Sequence, residues 1–110
     1  MKKINSLKKN KDFQRIIKNN KPFKYKGFIV YVENLDQDNY HFGISVSKKI
    51  GNAVVRNKIK RQIRDIISRN NYEKNVNCII IVRKSYLEEE FITNSNDLSY
   101  IFKKLNIIGW

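Results

Sequence analysis

Between Ser45 and Arg64 the chain carries Lys48, Lys49, Arg56, Lys58, Lys60, Arg61 and Arg64, and no Asp or Glu. Solvated basic segments usually interleave acids at i,i+4 spacing, so a run that forgoes them bears a self-repulsion that a polyanion would relieve. Arg is the sharper part of this signal. Its planar fork clamps phosphate bidentately or stacks on a base, whereas Lys acts as a point charge. A second basic segment, Lys2 to Lys26, holds ten Lys and Arg and one acid, Asp12. Across 110 residues, 23 Lys and Arg stand against 10 Asp and Glu, a formal charge of +13. The chemistry expected of these residues is phosphate and base recognition on nucleic acid.

Other chemistries find little support. His41 is the only histidine and reads as an ordinary surface group on a strand. Cys78, the only cysteine, lies in the apolar run CIIIV and reads as a small buried hydrophobe. No Cys/His cluster has zinc spacing, no Ser/His/Asp set can be proposed, and no Gly-rich loop is built to cradle phosphates. Glu88, Glu89 and Glu90 read as a solvated charge run rather than a metal site. A protein-only nuclease would need clustered carboxylates, yet Asp12, Asp65 and Asp97 are far apart in sequence. We therefore expect no catalytic and no metal-ligating residue in the protein. A membrane-surface role is disfavoured because the sheet needs the apolar face of the basic helix for its core. Without a membrane-length apolar run or a signal-peptide pattern, a cytoplasmic location is expected.

The elements that must position these residues follow from periodicity. Asn52 is placed to cap a long helix with Val55, Ile59, Ile63, Ile66 and Ile67 on one stripe. With about 100° per residue, Asn57, Lys58, Arg61 and Arg64 fall opposite or beside that opposite face, and Lys60 flanks the boundary. Amides at the helix start, near Lys48, Lys49 and Arg56, add further donors for phosphate. Before it, Tyr40, Phe42, Ile44 and Val46 alternate with His41, Gly43, Ser45 and Ser47, a strand with one core face and one wet face. Phe28 to Val32 predicts a strand bulky on both faces, Phe23 and Tyr25 a short edge strand, and Val76 to Val82 a buried strand. Phe13, Ile16 and Ile17 predict a first helix capped by Asn10 and stopped at Asn19-Asn20. Leu98, Ile101, Phe102 and Leu105 predict a last helix, with Asn94 or Ser95 as its cap. The expected fold is α+β: one domain over residues 1–110, a small mixed sheet of about four strands with helices packed on it, and a central β-α-β crossover.

The run from Gly43, GISVSKKIGNAVVRNKIKRQIRDI, resembles the central signature of the bacterial ribonuclease P protein family, in which a strand leads into a helix bearing an Arg-Asn-Arg core. The likeness extends to LKKNKDFQRIIK at Leu7 to Lys18, FIVYV at Phe28 to Val32 and IIIVRK at Ile79 to Lys84, in family order. The resemblance implies a four-stranded sheet with a left-handed crossover, against the usual right-handed rule. It implies a subunit that assists a catalytic RNA in endonucleolytic removal of the 5′ leader from precursor tRNA. Magnesium would be held mainly by the RNA, and no small-molecule substrate is expected. Lys48, Lys49, Arg56, Asn57, Lys58, Lys60, Arg61 and Arg64 would meet the catalytic RNA. Phe13, Ile17, Tyr31 and Ser45, with Arg56 and Asn57, would hold the leader. Two positions depart from the family: Lys58 keeps the charge of the second Arg without its fork, and Ile17 stands where an aromatic is common. The alternative is a non-enzymatic basic RNA-binding protein, such as a ribosome-associated one, against which the signature argues.

Overall fold

The computed structural model describes residues 4–6, 10–35, 40–73 and 75–109. Five strands form one mixed sheet in the order β1-β4-β5-β3-β2. They are β1 (Ile4–Ser6), β2 (Phe23–Tyr25), β3 (Phe28–Asn34), β4 (Tyr40–Ser45) and β5 (Val76–Val82). Helix α1 (Asn10–Asn19) precedes β2, α2 (Ala53–Ser68) joins β4 to β5, and α3 (Phe91–Lys104) follows a 3-10 turn over Lys84–Glu88. The four strands expected are present as β2 to β5. The three-residue β1 extends the sheet by pairing parallel to β4, Ile4 opposite Tyr40; a segment so short has no readable alternation.

β5 lies at the centre, parallel to β4 and antiparallel to β3. Phe28, Val30, Phe42, Val76, Cys78, Ile80 and Val82 belong to the main core together with Ile59, Ile63, Ile66 and Ile67 of α2 and Leu98, Ile101 and Phe102 of α3. Phe42 meets the Phe102 ring edge-on at 6.1 Å, with Tyr72 beside both. Ile79, pointing the other way, is also fully buried, because α1 packs on β3 and β5 there and brings down Ile16. A strand covered on both faces has no reason to alternate, hence the unbroken run CIIIV.

The helix ends show how local chemistry sets the boundaries. The Asn52 side chain accepts from the Val55 N–H at 3.0 Å, opening α2 as predicted. Asn20 donates its side-chain amide to the Ile16 carbonyl at 2.9 Å, closing α1. The predicted cap of α3 is corrected: the helix starts at Phe91, and its N-cap Glu90 makes no side-chain cap bond. Asn94 is instead a buried residue within the helix, 1% exposed, donating to the Tyr86 carbonyl at 3.0 Å. It occupies a core position on the stripe through Leu98, Ile101 and Phe102, where a polar residue by itself suggests a terminus. Among the described residues no helix is long and apolar enough to cross a membrane.

Candidate RNA-binding surfaces

The isoleucine stripe of α2 turns its opposite side to solvent. Asn57, Lys58, Arg61 and Arg64 are exposed, and Arg56 and Lys60 are half-buried on the flank. Lys48 and Lys49 are exposed in the turn before the helix, where Ser47 accepts from the Lys49 N–H and from the Ile50 N–H. Among the described residues none of these seven cations pairs with a carboxylate; the pairs present are Arg15 with Asp12 and Glu33, and Arg69 with Asp65. The Nε of Arg56 is buried without a partner.

A second surface lies on the sheet face away from α2. The register aligns three rows across β3, β5 and β4: Ile29-Ile81-Ser45, Tyr31-Ile79-Gly43 and Glu33-Asn77-His41. α1 crosses this face. Its Phe13 ring lies over Gly43, so closely that a Cβ on Gly43 would stand 2.4 Å from Phe13 Cζ. Only a glycine lets the ring sit on the strand in this way. At the third row Arg15 of α1 pairs with Glu33, which also accepts from the Asn77 side chain at 2.9 Å. Burial alone would raise the Glu33 carboxyl, but the hydrogen bonds from Arg15 and Asn77 and the charge of Arg15 outweigh it, leaving the group below its ordinary value. This pin fixes α1 over one end of the face. The other end, with Ile29, Ile81, Tyr31 and Ser45 half-buried, forms a groove of apolar and aromatic side chains. Lys24, opposite Ile29 on β2, adds an exposed cation to the same face.

Phe13, Tyr31 and Ser45 are thus brought to one sheet face, with Ile17 half-buried on the helix that covers it. Arg56 and Asn57 are not on that face. They belong to α2, whose buried stripe packs on the other side of the sheet. Sequence reasoning missed Ile29 and Ile81, because the faces of β3 and β5 cannot be told apart until their register is known; it read Gly43 only as a wet-face residue and Lys24 only as part of a basic segment. His41, expected as an ordinary surface group, is half-buried in the third row with its Nδ1 enclosed and without a partner. Cys78 is fully buried in the core, and burial pushes its thiol well above the ordinary range, so it is no nucleophile. Glu88, Glu89 and Glu90 are exposed.

Residues 1–106 match the family model described as Ribonuclease P. The chain is 46% identical over 108 residues to the ribonuclease P protein component of Mycoplasma mycoides subsp. mycoides SC, covering 96% of this chain and 99% of that one. It is 39% identical over 107 residues to the component from Bacillus pumilus, covering 94% and 90%. Among solved structures, the Staphylococcus aureus RNase P protein superposes with a TM-score of 0.86 at 36% identity, covering 97% of this chain and 100% of that one. The Thermotoga maritima RNase P protein gives 0.81 at 30% identity, covering 90% and 96%.

Proposed function

The chain belongs to the ribonuclease P protein family and is the RNA-binding protein component of that tRNA 5′-processing endoribonuclease; from this premise we propose how its two surfaces divide the work. The cations of α2, with Lys48 and Lys49, bind the catalytic RNA through phosphates. The groove between α1 and the sheet holds the single-stranded 5′ leader of precursor tRNA, with Phe13 and Tyr31 as stacking faces and Ser45 as a hydrogen-bonding group. Arg56 and Asn57, at the start of α2, join the two surfaces.

One observation carries this reading: the unpaired cations of α2 and an apolar, aromatic groove lie on opposite sides of a single sheet. One partner can be held by charge while another is held by stacking. The chain's contribution to rate is then positional. Fixing the leader against the protein, and the protein against the RNA, converts loose encounter into one oriented complex. The RNA performs the cleavage with magnesium that it holds itself. We place the whole chain, residues 1–110, in this role as one domain acting in the cytoplasm.

The test is reconstitution with a bacterial ribonuclease P RNA and precursor tRNA at low magnesium, where neither component alone cleaves and the mixture does. Phe13→Ala and Tyr31→Ala should each weaken precursor binding by about 1–3 kcal/mol, the usual worth of a stacked base. Mature tRNA, lacking a leader, should bind the holoenzyme as before. Equal losses for both substrates in folded variants would show that the groove does not read the leader.

A further inference from the structure

A cavity of about 280 Å³ opens between α2 and the 3-10 turn, on the flank of α2 away from Arg56 and Lys60. Val55, Ile59 and Phe91 line its apolar side, and Lys58, Gln62 and Glu89 supply its polar groups. Ligand pockets run from about 300 Å³ upward, so this one suits a single ring system. Leu87 at its edge is 49% exposed, an apolar wall that the core does not use. The cavity adjoins the exposed cations of α2 through Lys58, which places it within the surface assigned above to the catalytic RNA.

The polar edge is specific. Buried Tyr86 donates its hydroxyl to Gln62 Oε1 at 2.8 Å, which orients the amide so that its NH₂ remains as the free donor. The Tyr86 carbonyl is itself held by Asn94, so the donor is set by a packed scaffold. Of the three consecutive glutamates only Glu89 lines the cavity, and its carboxylate is an acceptor fork for two adjacent N–H groups. Guanine presents that pattern: N1–H and the N2 amine side by side, with O6 next to them as an acceptor for Gln62. Adenine puts an amine where O6 would be and has no ring N–H, while cytosine and uracil each offer one donor group. A carboxylate facing RNA is otherwise repulsive, and pairing with two base donors offsets that repulsion.

We infer that this cavity is a pocket for one unpaired guanine of the catalytic RNA, with Glu89 and Gln62 reading its edge, Phe91 and Leu87 against its faces and Lys58 on an adjacent phosphate. The inference rests on the proposed role of α2 as the RNA-binding helix. It is tested by footprinting the full chain on the catalytic RNA with a reagent that modifies the N1 and N2 positions of unpaired guanines. The wild-type chain should protect at least one guanine that regains reactivity with Glu89→Gln while other protections persist. Replacing that guanosine with inosine, which removes the N2 amine, should weaken wild-type binding by about ten- to a hundredfold, the worth of one charge-assisted hydrogen bond, and Glu89→Gln binding much less. Leu87→Trp, which fills the cavity without altering an edge group, should abolish the same protection. If Arg61→Ala/Arg64→Ala weakens RNA binding yet no protection depends on Glu89, the pocket is refuted and the role of α2 stands. If that double variant binds unchanged, the role of α2 falls as well. Binding of free guanosine monophosphate that depends on Glu89, with no guanine of the RNA protected, would overturn the RNA assignment in favour of a nucleotide site.

Discussion

Gly43→Ala probes the contact on which the groove is built. The added Cβ would stand 2.4, 2.7 and 3.2 Å from Cζ, Cε2 and Cε1 of Phe13, so the ring must retreat by roughly 1 Å or more to reach the ordinary 3.5–4.0 Å carbon contact. Overpacking of this kind costs about 1–3 kcal/mol, and the stiffer unfolded chain returns about 0.4–1 kcal/mol. The expected net loss is about 1–2 kcal/mol, because Phe13 is half-buried and part of the strain can relax outward. In a Phe13→Ala background the clash is gone, and the same substitution should stabilise by about 0.4–1 kcal/mol. This reversal of sign is the signature of the contact. Urea unfolding followed by circular dichroism measures it, as midpoint shifts at unchanged slope in the four members of the cycle. In reconstituted holoenzyme, Gly43→Ala should also weaken leader-bearing precursor while leaving mature tRNA unaffected. An equal effect of Gly43→Ala in both backgrounds would refute the placement of Phe13 over the strand.

Arg61→Ala/Arg64→Ala should weaken binding to the catalytic RNA and lower the log-log salt slope by about 0.7–0.9 for each phosphate no longer neutralised; an unchanged slope in a salt titration would remove both residues from the interface. Because the folded-state pKa of Glu33 lies below its unfolded value, near the ordinary 4.5, its contribution to stability is present above that range and disappears as pH falls through the folded value. Glu33→Gln should therefore be less stable than wild type at neutral pH and lose less on acidification; midpoints measured from pH 7 to 3 that fall in parallel for both would show the pin to be without effect. Cys78, buried and with its thiol raised, should resist an alkylating agent in the native chain and react once urea unfolds it. Native labelling at the unfolded rate would contradict its burial.

Much of α2 was legible because everything that makes it is local: a capping Asn52, a 3.6-residue isoleucine stripe, and cations on the other faces with no acid before Asp65. The alternation of Tyr40 to Ser45 likewise separated a core face from a wet one before any partner strand was known, and the run from Gly43 carried the family resemblance. The rest depended on contacts between residues distant in sequence. Nothing in CIIIV says whether Ile79 or Ile80 faces α2; pairing with β3 and β4 decides it, and with it which side chains line the groove. The buried role of Asn94 and the cavity bounded by Gln62 and Glu89 come from the docking of the last third of the chain on α2. The resemblance groups Arg56 and Asn57 with Phe13; that their helix lies on the other side of the sheet from that ring is decided by long-range packing alone. Periodicity reports how a segment divides its own faces, because side-chain direction follows from backbone geometry. Which face meets which is a matter of register and long-range packing, and only the folded chain settles it.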